Sequence, residues 1–146
     1  MGMRTAVLFA IDAKVKSLTF TDWRGRTLKV YWQFVDVPDN PTVPYIRASV
    51  QKIRPDKTTV EAGNCGTEYM WLLQLSVVVK DNLGQVKPDG IIEQIEDAFQ
   101  FASVFGNDDV QLKVSDAPRA ADGVPTGSWV EHPVQIRLRL NGGALG

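Results

Sequence analysis

A lone histidine, His132, and a lone cysteine, Cys65, are the side chains here best suited to general-base or nucleophilic chemistry near neutral pH. His132 falls in the series Val130, His132, Val134, Ile136, Leu138 and Leu140, which alternates with Glu131, Gln135, Arg137 and Arg139. That register turns it toward the core of a strand, where a structural histidine outweighs a base or a ligand. Cys65 lies between Asn64 and Gly66 in a turn, with no visible base or helix N-terminus to lower its pKa. A single cysteine excludes an intramolecular disulfide, and with a single histidine it cannot build a zinc site. A metal site would have to be carboxylate-built, yet the acidic residues show no ligand spacing. Asp108 and Asp109, and the group Glu93, Glu96 and Asp97, read as a capping turn and a helix-terminal charge cluster rather than an acid and base pair. No phosphate-binding loop, dinucleotide fingerprint or nucleophile elbow occurs. The residues argue against an enzyme, and no catalytic residue, cofactor or metal is expected.

Aromatic and basic residues carry a second chemistry. Tyr31, Trp32 and Phe34 stand near Arg24, Arg26 and Lys29, a composition suited to stacking on single-stranded nucleic acid. The competing reading places these aromatics in a sheet core or a subunit contact. A formal net charge of -1 and a pI near 5.8 favour the latter, because no long-range field draws polyanions. Consecutive aromatics on a strand point to opposite faces. One of Tyr31 and Trp32 should therefore face outward, under the second helix or a neighbouring subunit.

These side chains need a scaffold, and Glu68 to Lys80 is its centre. The stretch lacks Gly and Pro and ends in Val77-Val78-Val79. Tyr69, Trp71, Leu73, Leu75, Val77 and Val79 form an apolar set; Met70, Leu72, Gln74, Ser76 and Val78 form a mixed one, of which Met70, Leu72 and Val78 are expected under a helix or a neighbouring subunit. Ahead of it, Thr5 could cap an amphipathic helix with Val7, Leu8, Ile11 and Val15 inward. Leu28 to Phe34 reads as a first strand and Asp36 to Pro44, with three prolines, as an extended loop. Tyr45 to Ile53 alternates as a half-buried strand, and Arg54 to Thr67 reads as a long connection.

After the central strand, Pro88-Asp89-Gly90 opens a helix with the stripe Ile91, Ile92, Ile95, Phe99 and Ala102, ended by Gly106-Asn107-Asp108. Val110 to Val114 reads as a short strand, Asp116 to Ser128 as a polar loop, and the His132 segment as the last strand. Pro133 there suggests an edge, a bulge or an outer end. The order α-β-β-β-α-β-β predicts an α+β fold with a mostly antiparallel or mixed sheet and two helices packed on it. With 146 residues and 44% hydrophobic composition, a single domain over 1–146 is expected, its core spanning about 4–140 and 141–146 a flexible tail. No run approaches the ~20 apolar residues of a membrane span, and the first residues do not read as a secretion signal.

The combination of a short N-terminal helix, a Pro-rich loop, the strand Pro44-Tyr45-Ile46-Arg47-Ala48-Ser49-Val50 and the Gly66-Thr67-Glu68-Tyr69 entry to the central strand resembles a known group. The Gly84 turn, the Ile91-Ile92-x-x-Ile95-x-x-x-Phe99 helix and the final Trp129-Val-x-x-Pro133-Val-x-Ile136 strand extend the likeness over residues 4 to 140. The chain is similar to the bacteriophage tail terminator-like proteins, relatives of the terminator of lambda-type phages. The resemblance implies a structural subunit of a homo-oligomeric ring, commonly a hexamer, that caps the tail tube, stops polymerisation and offers the head its attachment surface. Its partners would be tail-tube and head-completion proteins, with no membrane and no specific nucleic acid, in a virion tail assembled in the host cytoplasm. Assembly contacts are expected at Arg54, Lys57, Glu61 and Asn64, at Asp39 and Asn40, and laterally at Trp129, Arg137 and Arg139. Another head-tail joining or minor tail protein is the alternative within that class, and a single-strand nucleic-acid module is the alternative outside it.

Overall fold

The computed structural model describes residues 3–33, 44–53, 70–80, 86–108 and 110–140. Strand β3 (Met70–Lys80) lies at the centre, paired antiparallel to β2 (Tyr45–Ile53) on one side and to β8 (Trp129–Leu140) on the other. A short β1 (Val30–Trp32) adds to β2 in parallel at one edge. Beyond β8 come β5 (Gln111–Val114) and the edge hairpin strand β4 (Val104–Gly106). The order β1-β2-β3-β8-β5-β4 makes one mixed sheet, and with two helices the fold is α+β as the residue pattern predicts.

Register explains the layering. Ile46 pairs with Val77, which pairs with His132; Ala48 pairs with Leu75, which pairs with Val134. These residues share one sheet face, and with Trp71, Leu73, Ile136, Leu138, Leu112 and Val114 they form the core with both helices. Helix α1 (Met3–Ser17) contributes Ala6, Val7, Ala10, Ile11 and Val15, a stripe at helical spacing. Thr5 sits inside this helix instead of capping it, and Leu8 is 40% exposed because the stripe closes on Ala6 and Ala10. Lys14 and Lys16 occupy its last turn, where the helix dipole favours cations. The Lys14 ammonium also stands over the rings of Phe99 and Phe105, 5.7 and 5.9 Å from their centroids.

Helix α2 (Val86–Ala98) starts with Pro88 in its first turn and packs Ile91, Ile92 and Ile95 on the sheet. It ends well before Gly106. The Ala102 N–H bonds the Val114 carbonyl at 2.9 Å instead of continuing the helix, and Ala102 takes a left-handed φ of 69°. The backbone thus peels away to pair with β5, which turns the expected helix end into β4.

The segment read as one polar loop contains β6 (Arg119–Ala120) and β7 (Val124–Thr126), both paired to β8. They are too short to show a period, one preceded by Pro118 and the other containing Pro125, and form because β8 is long enough to offer a free side to each. A tight turn at Gly127 (φ 71°) returns β7 into β8. Pro133 is therefore on an interior strand. Its carbonyl accepts from the Ala121 N–H at 2.9 Å, so its missing donor points to the gap between β6 and β7 where no ladder bond is due.

Candidate functional site

The second face of the sheet carries the polar set. Register places Tyr31, Tyr45, Arg47, Ser49, Gln74, Ser76, Glu131, Gln135, Arg137 and Arg139 there. Both described helices lie on the opposite face, so Met70, Leu72 and Val78 sit under neither of them. Val78 is buried between its register partners Tyr45 and Glu131, whereas Met70 and Leu72 are half-buried beside Arg139 and Arg137. Gln74 donates to the Ser76 hydroxyl at 3.1 Å, which satisfies the buried Ser76.

Aromatic residues are ordered along this face. Tyr31 meets Tyr45 edge-on with centroids 5.6 Å apart, and Tyr45 meets Trp129 at 6.0 Å. Burial raises the Tyr45 hydroxyl above its ordinary value; Arg47 opposes this, and Glu131 and Tyr31 add to it. Trp32, one residue on from Tyr31, turns inward and packs against the core. The two aromatics that the nucleic-acid alternative would use are thus on opposite faces, as consecutive strand positions predict, and Phe34 lies outside the described residues. Tyr31 is the outward member, and it meets Tyr45 rather than the second helix.

At the end of the sheet where β2 and β8 begin and β3 finishes, the start of α2 and the turn at 22–26 converge on a cleft. It is lined by Trp23, Arg24, Arg26, Pro44, Lys80, Lys87 and Trp129. The turn owes its shape to Asp22, whose side chain is fully buried. Its Oδ1 accepts from the backbone N–H groups of Arg24 and Arg26, both at 2.9 Å, and its Oδ2 accepts from the Arg26 guanidinium at 2.7 Å. Burial pushes the Asp22 carboxyl upward, but these bonds and the Arg26 charge outweigh it and hold the group below its ordinary value. Gly25, with φ 77°, closes the turn. Gln94 ties the turn to α2: its amide donates to the Thr21 carbonyl at 2.8 Å and accepts from the Thr21 N–H at 2.9 Å.

Lys80 stands over the Trp129 ring and Lys87 over the Trp23 ring, 5.9 and 5.4 Å from the centroids. The cleft is therefore basic and aromatic. Of its residues, the lateral-contact expectation included Trp129 alone. Lys80, Lys87 and Trp23 carry no signal in the sequence, because they come together only when strand ends and a helix start meet; Arg24 and Arg26, close in sequence to the Tyr31 segment, line this cleft with them.

The remaining site residues divide as follows. Arg137 is exposed and Arg139 half-buried on the polar face, one register step apart along β8 and away from Trp129. Arg54, Lys57, Glu61, Asn64, Asp39 and Asn40, with Cys65, lie outside the described residues. His132 is buried at 4% exposure, as its register predicts. Among the described residues no group of three His, Cys, Asp or Glu is placed to hold a metal ion, and no helix is long and apolar enough to cross a membrane.

Comparison with known proteins agrees with this scaffold. A family model described as phage tail terminator protein matches residues 6–138. A solved structure shares the fold at a TM-score of 0.71 with 17% identity, over 96% of this chain and 97% of the other. A comparison with curated proteins found no match.

Proposed function

The chain belongs to the phage tail terminator protein family, and from that premise we propose that it is a non-enzymatic structural subunit that closes the tail tube as a ring. The ring, a hexamer in this reading, ends tail polymerisation and presents the surface to which the head attaches. The observation that carries the proposal is the family match, which spans nearly the whole described scaffold. The geometry supports it in kind: polar and aromatic residues are spread over a broad face and a shallow cleft, a layout for contact with other subunits. A heterologous ring needs two different patches on each subunit.

In this proposal Trp129, Arg137 and Arg139 make lateral contacts. Arg54, Lys57, Glu61 and Asn64, together with Asp39 and Asn40, meet the tail-tube and head-completion proteins, and assembly of the virion tail takes place in the host cytoplasm. Light scattering tests the assembly: a ring of six copies of the 16.2 kDa chain is expected, alone or on tail-tube rings. A strict monomer at every concentration that also fails to bind tail-tube rings would overturn the reading.

A further inference from the structure

The cleft at the Lys80 end of the sheet is opposite in charge to the rest of the chain. Arg24, Arg26, Lys80 and Lys87 line it, and Asp22 is the acid behind it. Setting these five aside leaves 12 basic against 16 acidic residues elsewhere, so a basic focus sits on an otherwise acidic molecule. Arg26 is paired to Asp22, but among the described residues no carboxylate lies within ion-pair distance of Arg24, Lys80 or Lys87. The two lysines are held over indole faces, which position them without neutralising them. The cleft offers about 170 Å³. That is below the ~300–1,000 Å³ of small-molecule sites, but it accommodates side chains entering from another surface.

We propose that this cleft receives acidic side chains from a second copy of this chain, carried on that copy's α2 at Glu93 and Asp97. The proposal rests on the ring reading above and adds which two surfaces meet. Glu93 and Asp97 are both exposed and stand four residues apart, hence on one face of the helix. No ion pair engages either of them among the described residues. They lie six and ten residues beyond Lys87 on α2 and are not among the residues that line the cleft, so the cleft and the acidic pair are different surfaces of one subunit. Such a pair gives a head-to-tail contact, which can close into a ring. Complementary charge of this kind steers association and fixes orientation.

A charge swap tests the proposal. The variants Lys80→Glu/Lys87→Glu and Glu93→Lys/Asp97→Lys change exposed positions, and circular dichroism and thermal melts establish that each folds. By light scattering each variant alone should require about tenfold more protein to assemble than the natural chain. An equimolar mixture should regain assembly, because each reversed surface then meets a complementary one. If the natural chain forms rings and the cleft variant assembles equally well, or the mixture regains nothing, the cleft proposal fails while the ring reading stands. A natural chain that never assembles removes both. If the cleft variant keeps its assembly but loses binding to a single-stranded oligonucleotide, the cleft is a phosphate site and the proposal is overturned.

Discussion

His132 presses against Gly123, where an added Cβ would lie 2.7 Å from the imidazole Cε1 and 2.6 Å from Val130 Cγ1. Its Nδ1 is buried without a hydrogen-bond partner among the described residues. Burial pushes its pKa below the ordinary 6.5, and the nearby Asp89 carboxylate opposes this less strongly. The folded protein thus holds this histidine neutral where the unfolded chain would already bind a proton. Folding stability should be unaffected by this group well above pH 6.5, and should fall as pH drops through 6.5 until the folded-state value is passed. The slope from one proton is at most about 1.4 kcal/mol per pH unit. Urea unfolding of the natural chain and of His132→Leu, across a pH series, measures this. The variant should gain stability relative to the natural chain as pH falls below 6.5, and a constant difference would contradict the account. The inward direction of His132 is legible in sequence because a period of two fixes it; its missing partner is not, because that depends on Gly123 arriving from another segment.

The turn at 22–26 is held from three directions. Thr21 and Thr27 form an isolated antiparallel bridge across it, Asp22 caps its interior, and Gln94 clamps its base to α2. Replacing Asp22 by Ala would leave the Arg24 and Arg26 N–H groups without their acceptor and release the Arg26 side chain. A loss of about 2–3 kcal/mol is expected in denaturant unfolding. Ring assembly should weaken further than Gln94→Ala alone would cause, since two cations of the cleft lose their position. Chain elements of this kind escape a reading by period: Asp22 sits in a run of mixed residues, and its bonds to the next few backbone groups are visible only in three dimensions. Strands β2, β3 and β8 are the reverse case. Their alternation over 9, 11 and 12 residues identifies both their extent and their inward faces, and the β2 limits agree at both ends. The strands that sequence misses, β4, β6 and β7, have two or three residues each and exist because a longer neighbour has free backbone groups to offer.

At the scale of the whole molecule, one core joins regions distant in sequence. Val7 and Ile11 of α1, Ile91 and Ile95 of α2, and Leu73, Ile136 and Leu112 of three strands belong to the same buried cluster. Helix α1 approaches the β4–β5 end, while all four tryptophans lie elsewhere: Trp23 on the turn, Trp32 on β1, Trp71 on β3 and Trp129 on β8. Fluorescence therefore reports the turn and strands β1, β3 and β8, and far-ultraviolet circular dichroism reports both helices, including α1, which carries no tryptophan. If 1–146 is a single cooperative domain, the two transitions should superimpose in urea, because losing α1 exposes Ile11 and Val15 and strips the Lys14 contact from Phe99 and Phe105. A circular dichroism transition that precedes the fluorescence one would mean that the β4–β5 end with α1 opens as its own unit. Only the superimposed outcome lets a ring contact made at the Lys80 end feel the stability of the whole chain, since binding stabilises whatever unfolds together with its site.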